Sequence, residues 1–301
     1  MFREIEGSEE WLSIEKIAKG WSSDEKYIVI TKDDKKLLRI STIEAHESKL
    51  KEFEIISKYA QTGIPMSLPL AMGICDDGRR SYMLLTWIEG QELNEVLPTL
   101  NEEEQYLLGR SAGRILRKIH SIDLNAEDIP PQTKASRKLK QLGAYERSDV
   151  RYTGDERAIA FVKEHIHAIW QEEPVYLHGD FHPGNLIYRE DGSLGVIDFN
   201  RWEVGDPYEE FYKLESFGVE VSVPYCVGQI DAYFGAEVPE QFWVTLAIYV
   251  AHASLHSILW AVRFGADEIV GMERRCRRAF VHYDGFRRMI PTWYEDWHRS
   301  H

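Results

Sequence analysis

Residues 175–199 constrain this chain more than any other stretch. They form a short β-like island, broken by Gly and Pro, within a half of the sequence otherwise patterned for helix. Three polar groups sit in it at fixed offsets: Asp180, Asn185 five residues on, and Asp198 within Val196-Ile197-Asp198-Phe199. Glycine and proline punctuate local structure. The island therefore reads as short strands and turns that aim two carboxylates and a carboxamide from a compact piece of chain.

The flanking sequence divides by periodicity. Up to Gly90 it reads as strands with one helix. Residues 11–19 predict a first strand, and the polar turn Gly20-Trp21-Ser22-Ser23-Asp24 follows. Next come Tyr27-Ile28-Val29-Ile30 and, past the turn Lys32-Asp33-Asp34-Lys35, Leu37-Leu38-Arg39-Ile40. Between Ile43 and Gln61, Leu50, Phe53, Ile56 and Tyr59 recur three apart and predict a helix closed by Gly63 and Pro65. Strands are expected again at 68–74 and 81–88, joined at Asp76-Asp77-Gly78. Beyond Gly90, Leu107, Ala112, Ile115, Leu116 and Ile119 make a helical stripe, and helical patterning continues through Trp260. This shift predicts two lobes, residues 1–89 and 90–301. Residues 241–262 contain no Asp, Glu, Lys or Arg and match a bilayer in length. They also carry Thr245, His252, Ser254, His256 and Ser257, so a helix buried in a large domain is expected, and no membrane association.

The island in full is His178-Gly179-Asp180-Phe181-His182-Pro183-Gly184-Asn185, then Gly195-Val196-Ile197-Asp198-Phe199. The step from Asp180 to Asn185 is that of the kinase pattern H-R-D-x-x-x-x-N, and Ile-Asp-Phe stands where D-F-G is expected. Phosphoryl transfer explains why these residue types are needed. A carboxylate must orient the acceptor hydroxyl and take its proton. An amide oxygen and a second carboxylate must hold Mg2+, a hard cation that prefers oxygen, against the phosphates. Asp180 fits the first role; Asn185 and Asp198 fit the second.

With those residues in place, nearly the whole sequence resembles the aminoglycoside phosphotransferase and choline kinase family of small-molecule kinases, and most strongly the aminoglycoside 2″-kinases. Leu116-Arg117-Lys118-Ile119-His120-Ser121-Ile122 and Val204-Gly205-Asp206-Pro207 carry further parts of the likeness. The resemblance implies an α+β, protein-kinase-like bilobal fold, with an N-terminal antiparallel sheet and one helix, and a larger, mostly helical C-terminal lobe. It implies ATP or GTP as co-substrate and Mg2+ as cofactor. Arg39 stands where the family usually places its phosphate-contacting lysine, and Glu52 matches the glutamate that pairs with that cation. Gly20, Ser22 and Ser23 fall where a loop covers the nucleotide phosphates, although no G-x-G-x-x-G is present. Thr86-Trp87-Ile88 matches the interlobe hinge, whose backbone would meet a purine edge.

Other features narrow the acceptor. Asp206 follows Asp198 by only eight residues with no A-P-E element, so the platform protein kinases offer an extended peptide is missing. Asp206 itself reads as structural, and His178 and His182 as hydrogen-bonded struts. The family's aminoglycoside kinases line their acceptor cleft with carboxylates, and Glu203, Glu209, Glu210 and Glu215 follow Asp198 here. On the apolar helix, His256 stands near a place where 2″-kinases carry an acid. Trp202, Trp243, Trp260 and Trp293 offer material for an aromatic pocket. An aminoglycoside-type antibiotic is thus the expected acceptor, with macrolides, choline or a sugar as rivals, and a non-catalytic nucleotide-binding module as the reading from another class.

Composition agrees with a globular enzyme and excludes other classes. The 301 residues are 44% hydrophobic and carry a formal net charge of −14, which disfavours nucleic acid and anionic membrane as partners. It suits a cationic small molecule. Cys75, Cys226 and Cys276 are odd in number and lack a CxxC spacing, so a disulfide framework or zinc site is not expected and a reducing cytoplasm is.

Overall fold

The computed structural model of the chain describes residues 2–18, 24–235 and 237–301. In chain order come β1 (Ser13–Ile17), β2 (Glu25–Ile30), β3 (Lys35–Thr42), α1 (His46–Ala60), β4 (Pro69–Cys75), β5 (Arg80–Thr86) and β6 (Gln91–Glu92). Helices α2 (Leu93–Val96), α3 (Glu102–His120), α4 (Ala135–Glu146) and α5 (Glu156–His165) follow. The island supplies β7 (Val175–Leu177), β8 (Leu186–Tyr188) and β9 (Leu194–Val196), and β10 (Glu203–Gly205) comes after it. Helices α6 (Val223–Phe234), α7 (Glu240–Ala261), α8 (Ala266–His282) and α9 (Thr292–Ser300) lead to the C-terminus. The fold is α+β, an antiparallel sheet near the N-terminus and a larger helical region after it.

Two compact units result: Met1–Glu92 with Asn185–Trp202, and Leu93–Gly184 with Glu203–His301. Residues 185–202 were expected in the second lobe. They join the first unit because the β8–β9 hairpin pairs through β8 with β6, and Val196 bridges Met66.

In the first unit the sheet runs β1-β2-β3-β5-β4, all antiparallel. Side chains alternate across a sheet, and here the two faces differ. Tyr27, Val29, Leu38, Ile40 and Leu84 close one face as a core with Ile5 and Cys75. On the other, Lys26 pairs Arg39 and Arg39 pairs Met83, so these three form a row across β2, β3 and β5. Helix α1 buries Glu52, Ile55, Ile56 and Tyr59, an i, i+3, i+4, i+7 face. Of the three-apart stripe anticipated from sequence, Ile56 and Tyr59 lie on this face, while Leu50 is 44% exposed and a glutamate takes an inward position.

In the second unit, α3 and α6 pack with backbones in near contact. A Cβ added at Gly109 of α3 would lie 2.0 Å from the Tyr225 carbonyl oxygen of α6. Helix α3 starts at a capping box, in which the Asn101 side chain accepts from Glu104 N–H and the Glu104 carboxylate from Asn101 N–H. Its buried face is led by Leu108, with Ala112, Leu116 and Ile119, while Leu107 is 51% exposed. The charge-free segment makes up nearly all of α7. By length and composition it could cross a bilayer, and 67% of its apolar stretch is buried within the protein, where α4, α5 and α8 pack on it.

Candidate active site

Backbone register builds the first half of the site. In the hairpin, Leu186 pairs Val196. The next pair outward is Asn185 and Ile197, and the Ile197 N–H donates to the Asn185 carbonyl at 3.1 Å. Asn185 and Asp198 are therefore held one residue apart across a two-stranded ribbon, both in the first unit. Asp198 has φ 62, in the left-handed region. Asp tolerates that region better than most residues, yet a non-glycine held there costs about 1–3 kcal/mol and marks a position the surroundings dictate. Its Oδ2 accepts from Lys26 Nζ at 3.2 Å, with the two side chains 28% and 15% exposed.

Arg39 and Glu52 come together as the sequence implied, in a larger group. The Arg39 Nη1 donates to Glu52 Oε1 at 2.5 Å, while its Nη2 and Nε donate to Asp24 Oδ2 at 2.5 and 3.1 Å. Lys49 Nζ adds 2.8 Å to Asp24 and 3.0 Å to Glu52. Two cations and two carboxylates thus meet in one cluster, with Arg39 only 4% exposed. Burial opposes the charge on Arg39, but Glu52 and Asp24 outweigh it and raise its pKa further. Burial likewise pushes Asp24 up, and Arg39 and Lys49 more than offset that and hold it below the usual range.

The other expected nucleotide contacts are partly placed. Thr86 N–H donates to Leu68 O, and its hydroxyl accepts from Leu68 N–H, so its donor serves the sheet. Ile88 follows the end of β5 and lies against Gly195, where a Cβ would come within 2.8 Å of its Cγ2. Gly20, Ser22 and Ser23 lie outside the described residues.

The second unit carries Asp180. Lys213 Nζ donates to Asp180 Oδ1 at 2.6 Å, and His182 Nε2 stands 3.7 Å from the same oxygen. The ammonium is buried and sits 5.1 Å from the Tyr212 ring centroid and 5.3 Å from that of Phe217. Phe217 lies tilted against the His182 ring and carries Arg275 on its own ring at 4.9 Å. A π-helical turn, Leu214–Gly218, directly follows Lys213; such turns favour functional sites. The Asp180 loop is braced by Glu210, whose carboxylate accepts from Gly179 N–H at 3.2 Å and Phe181 N–H at 3.4 Å. Gly179 has φ 79, a conformation that an arginine would adopt only with strain. His178 Nδ1 accepts from Asp180 N–H, and His182 Nδ1 from Gly184 N–H. Asp206 serves elsewhere, accepting from Trp170 N–H, Tyr208 N–H and Tyr249 O–H.

The residues expected to line an acidic acceptor cleft are each held by protein partners, Glu209, Glu210 and Glu215 buried and Glu203 part-exposed. Glu203 is bound by Lys134 at 2.5 Å and Arg137 at 3.3 Å. Glu209 meets Lys134 at 2.6 Å and Lys138 at 2.7 Å. Glu215, 3% exposed, accepts from His282 and Trp293 Nε1 at 2.9 Å each. His256 faces cations: burial, then Lys138 and Arg263, lower its pKa. Within the second unit, Trp260 stands apart from Trp243 and Trp293. Trp243 and Trp293 contact Tyr294. Trp260 is seventeen residues along α7 from Trp243, roughly 25 Å at the helical rise, and packs on Phe264. Trp202 belongs to the first unit. Among the described residues no three His, Cys, Asp or Glu side chains converge as a metal cluster, and His252 Nε2 donates to Lys138 O instead of pairing with His256 on an ion.

Sequence reading missed three residues: Lys26, Lys213 and the bracing role of Glu210. For Lys213 the only sequence signal is a lone base between Glu210 and Glu215. For Lys26 it is alternation with Tyr27, which puts it on the Arg39 face once the register is known.

The model of the phosphotransferase enzyme family matches residues 13–243. Among solved structures, the chain is similar to a thermostable mutant of aminoglycoside phosphotransferase APH(4)-Ia in ternary complex with ADP and hygromycin B, at 16% identity and TM-score 0.68, covering 89% of this chain and 93% of that one. It is similar to APH(2″)-IIa in complex with gentamicin, at 17% identity and TM-score 0.64, covering 89% and 91%. Amicoumacin kinase hAmiN in complex with AMP-PNP, Ca2+ and Ami matches at 14% identity and TM-score 0.67, covering 94% and 92%. At these identities the likeness establishes the fold.

Proposed function

The chain belongs to the phosphotransferase enzyme family, and from that premise we propose that it moves the γ-phosphoryl group of a nucleoside triphosphate, ATP or GTP, with Mg2+, onto a hydroxyl of a small molecule. The observation that carries this reading is the hairpin register that sets Asn185 beside Asp198, five residues after a carboxylate held by an ammonium. The donors fit the ion. Both are hard oxygens, as Mg2+ requires, and Asp198 already attracts a cationic group, the Lys26 ammonium. When bound, the ion would neutralise charge on the transferring phosphates. Asp180 orients the acceptor hydroxyl and takes its proton as the bond to phosphorus forms. Lys213 and the Glu210 brace fix where that carboxylate points.

For the acceptor, an aminoglycoside-type antibiotic is the first reading, supported by the ligands of the structural neighbours. A second reading is favoured by the charges around Asp180. Glu209, Glu210 and Glu215 are buried with protein partners, the part-exposed Glu203 is paired with Lys134 and Arg137, and Lys213 and Arg275 flank Phe217. A polycation gains little from such surroundings, so a less cationic alcohol, a macrolide or a metabolite, fits them better. We place the protein in a reducing cytoplasm, in keeping with Cys75, Cys226 and Cys276 as buried free thiols.

The test is phosphate transfer from ATP and GTP to a panel of aminoglycosides, macrolides and small alcohols, with Asp180→Asn as the control. Turnover in the variant should fall by at least ~10²-fold while nucleotide binding is kept, the loss expected for a general base. An Asp180→Asn protein as active as wild type would refute the assignment. Absence of transfer to every acceptor would favour a nucleotide-binding module.

A further inference from the structure

We propose that the side chain which contacts the nucleotide's phosphates is Lys26 on β2, and that Arg39, its neighbour on β3, serves instead to hold α1 to the sheet. This rests on the reading of the chain as a nucleotide-dependent phosphotransferase. Lys26 and Arg39 are cross-strand partners, so both side chains leave the same face of the sheet. Their surroundings are opposite. All three guanidinium nitrogens of Arg39 are spent on Asp24 and Glu52, and both carboxylates are shared with Lys49. Two positive and two negative groups meet there, and Asp24, Arg39 and Glu52 are buried. To reach a phosphate, Arg39 would have to leave two buried carboxylates short of a partner, which is far costlier than breaking an exposed pair.

Lys26 has no such tie. Its contact to Asp198, at 3.2 Å, is longer than any contact Arg39 makes, and both partners keep part of their surface in solvent. The ammonium rests on the oxygen of the carboxylate proposed to hold the metal, the place where metal and phosphate charge must meet. A lysine has a flexible four-carbon stem and rotatable donors. It can pass from Asp198 to a phosphate oxygen over a short arc once a divalent ion satisfies the carboxylate. The cationic role then falls to β2, one strand away from where the sequence places it.

The experiment compares Lys26→Met, Lys26→Arg and Arg39→Lys in the full chain. It measures calorimetric affinity for adenosine, ADP and AMP-PNP with Mg2+, and thermal unfolding of each protein without ligand. Lys26→Met should weaken ADP and AMP-PNP by at least tenfold, leave adenosine within twofold, and unfold near the wild-type temperature. Lys26→Arg, keeping the charge, should recover most of the loss. Arg39→Lys should lower the unfolding temperature while the gain in affinity from adenosine to ADP stays within threefold of wild type. If Lys26→Met binds ADP as tightly as wild type, or Arg39→Lys loses the phosphate-dependent gain, the assignment is overturned and the phosphotransferase reading stands. If the wild-type protein binds neither ADP nor AMP-PNP, that reading falls and this one with it.

Discussion

Arg39 and Glu52 could be picked from sequence as a pair, yet the chemistry of the pair depends on two residues the sequence did not attach to them. Asp24 precedes β2 and Lys49 lies one turn before Glu52; together they turn a single ion pair into a largely buried cluster of two cations and two carboxylates. Such groups are costly to break from one side, because the remaining charges stay buried. Arg39→Met should therefore destabilise the protein by about 3–5 kcal/mol in denaturant unfolding, and an unfolding midpoint unchanged from wild type would contradict the description. The acidic run after Asp198 teaches the same lesson. Glu203, Glu209, Glu210 and Glu215 look in sequence like a lining for a cationic ligand. Each instead satisfies a particular lysine, histidine, indole or backbone N–H. Composition counts charges without saying which of them face each other.

Helices and strands were legible to the extent that one face is apolar. The strands of the first sheet and helix α7 lie close to where periodicity puts them. The inward faces of α1 and α3 are less so, since Glu52 is buried by its ion pairs and Leu108, not Leu107, meets the core. Glycine content hid a packing device as well. Gly109 lets α3 approach the backbone of α6, so Gly109→Ala should cost about 1–3 kcal/mol, the range for overpacking, with thermal unfolding as the measure. Gly271, within α8, supplies the contrast: a Cβ there meets nothing closer than the Arg275 guanidinium at 3.7 Å. Gly271→Ala should stabilise by about 0.4–1 kcal/mol through the unfolded chain. The same sign at both positions would show that close helix approach is not what fixes Gly109.

For the molecule as a whole, buried carboxylates set the response to acid. Burial pushes Glu209 up, but Lys138 and Lys134 prevail and hold it down at about 2, against an ordinary 4.5. Its contribution is complete above pH 4.5 and is withdrawn as pH falls through about 2. Glu210, Glu220 and Asp24 are displaced in the same direction, their basic partners outweighing burial. Asp206 opposes them, since burial raises its pKa and its ionisation costs stability as pH rises. Thermal unfolding followed from pH 7 to pH 2.5 should show the melting temperature falling steeply below about 4.5; a flat profile would refute the buried ion pairs. The amino-acid order by itself determined the spacing of Asp180, Asn185 and Asp198 and the change from strand to helix near Gly90, because both are local: one is a matter of offsets, the other of periodicity. Only the tertiary structure decided that Lys26 meets Asp198, that Lys213 meets Asp180, and that Arg39 is sealed among partners. Those contacts join residues 172, 33 and 15 positions apart. What brings them together is strand register and helix packing, which depend on the burial of the entire chain.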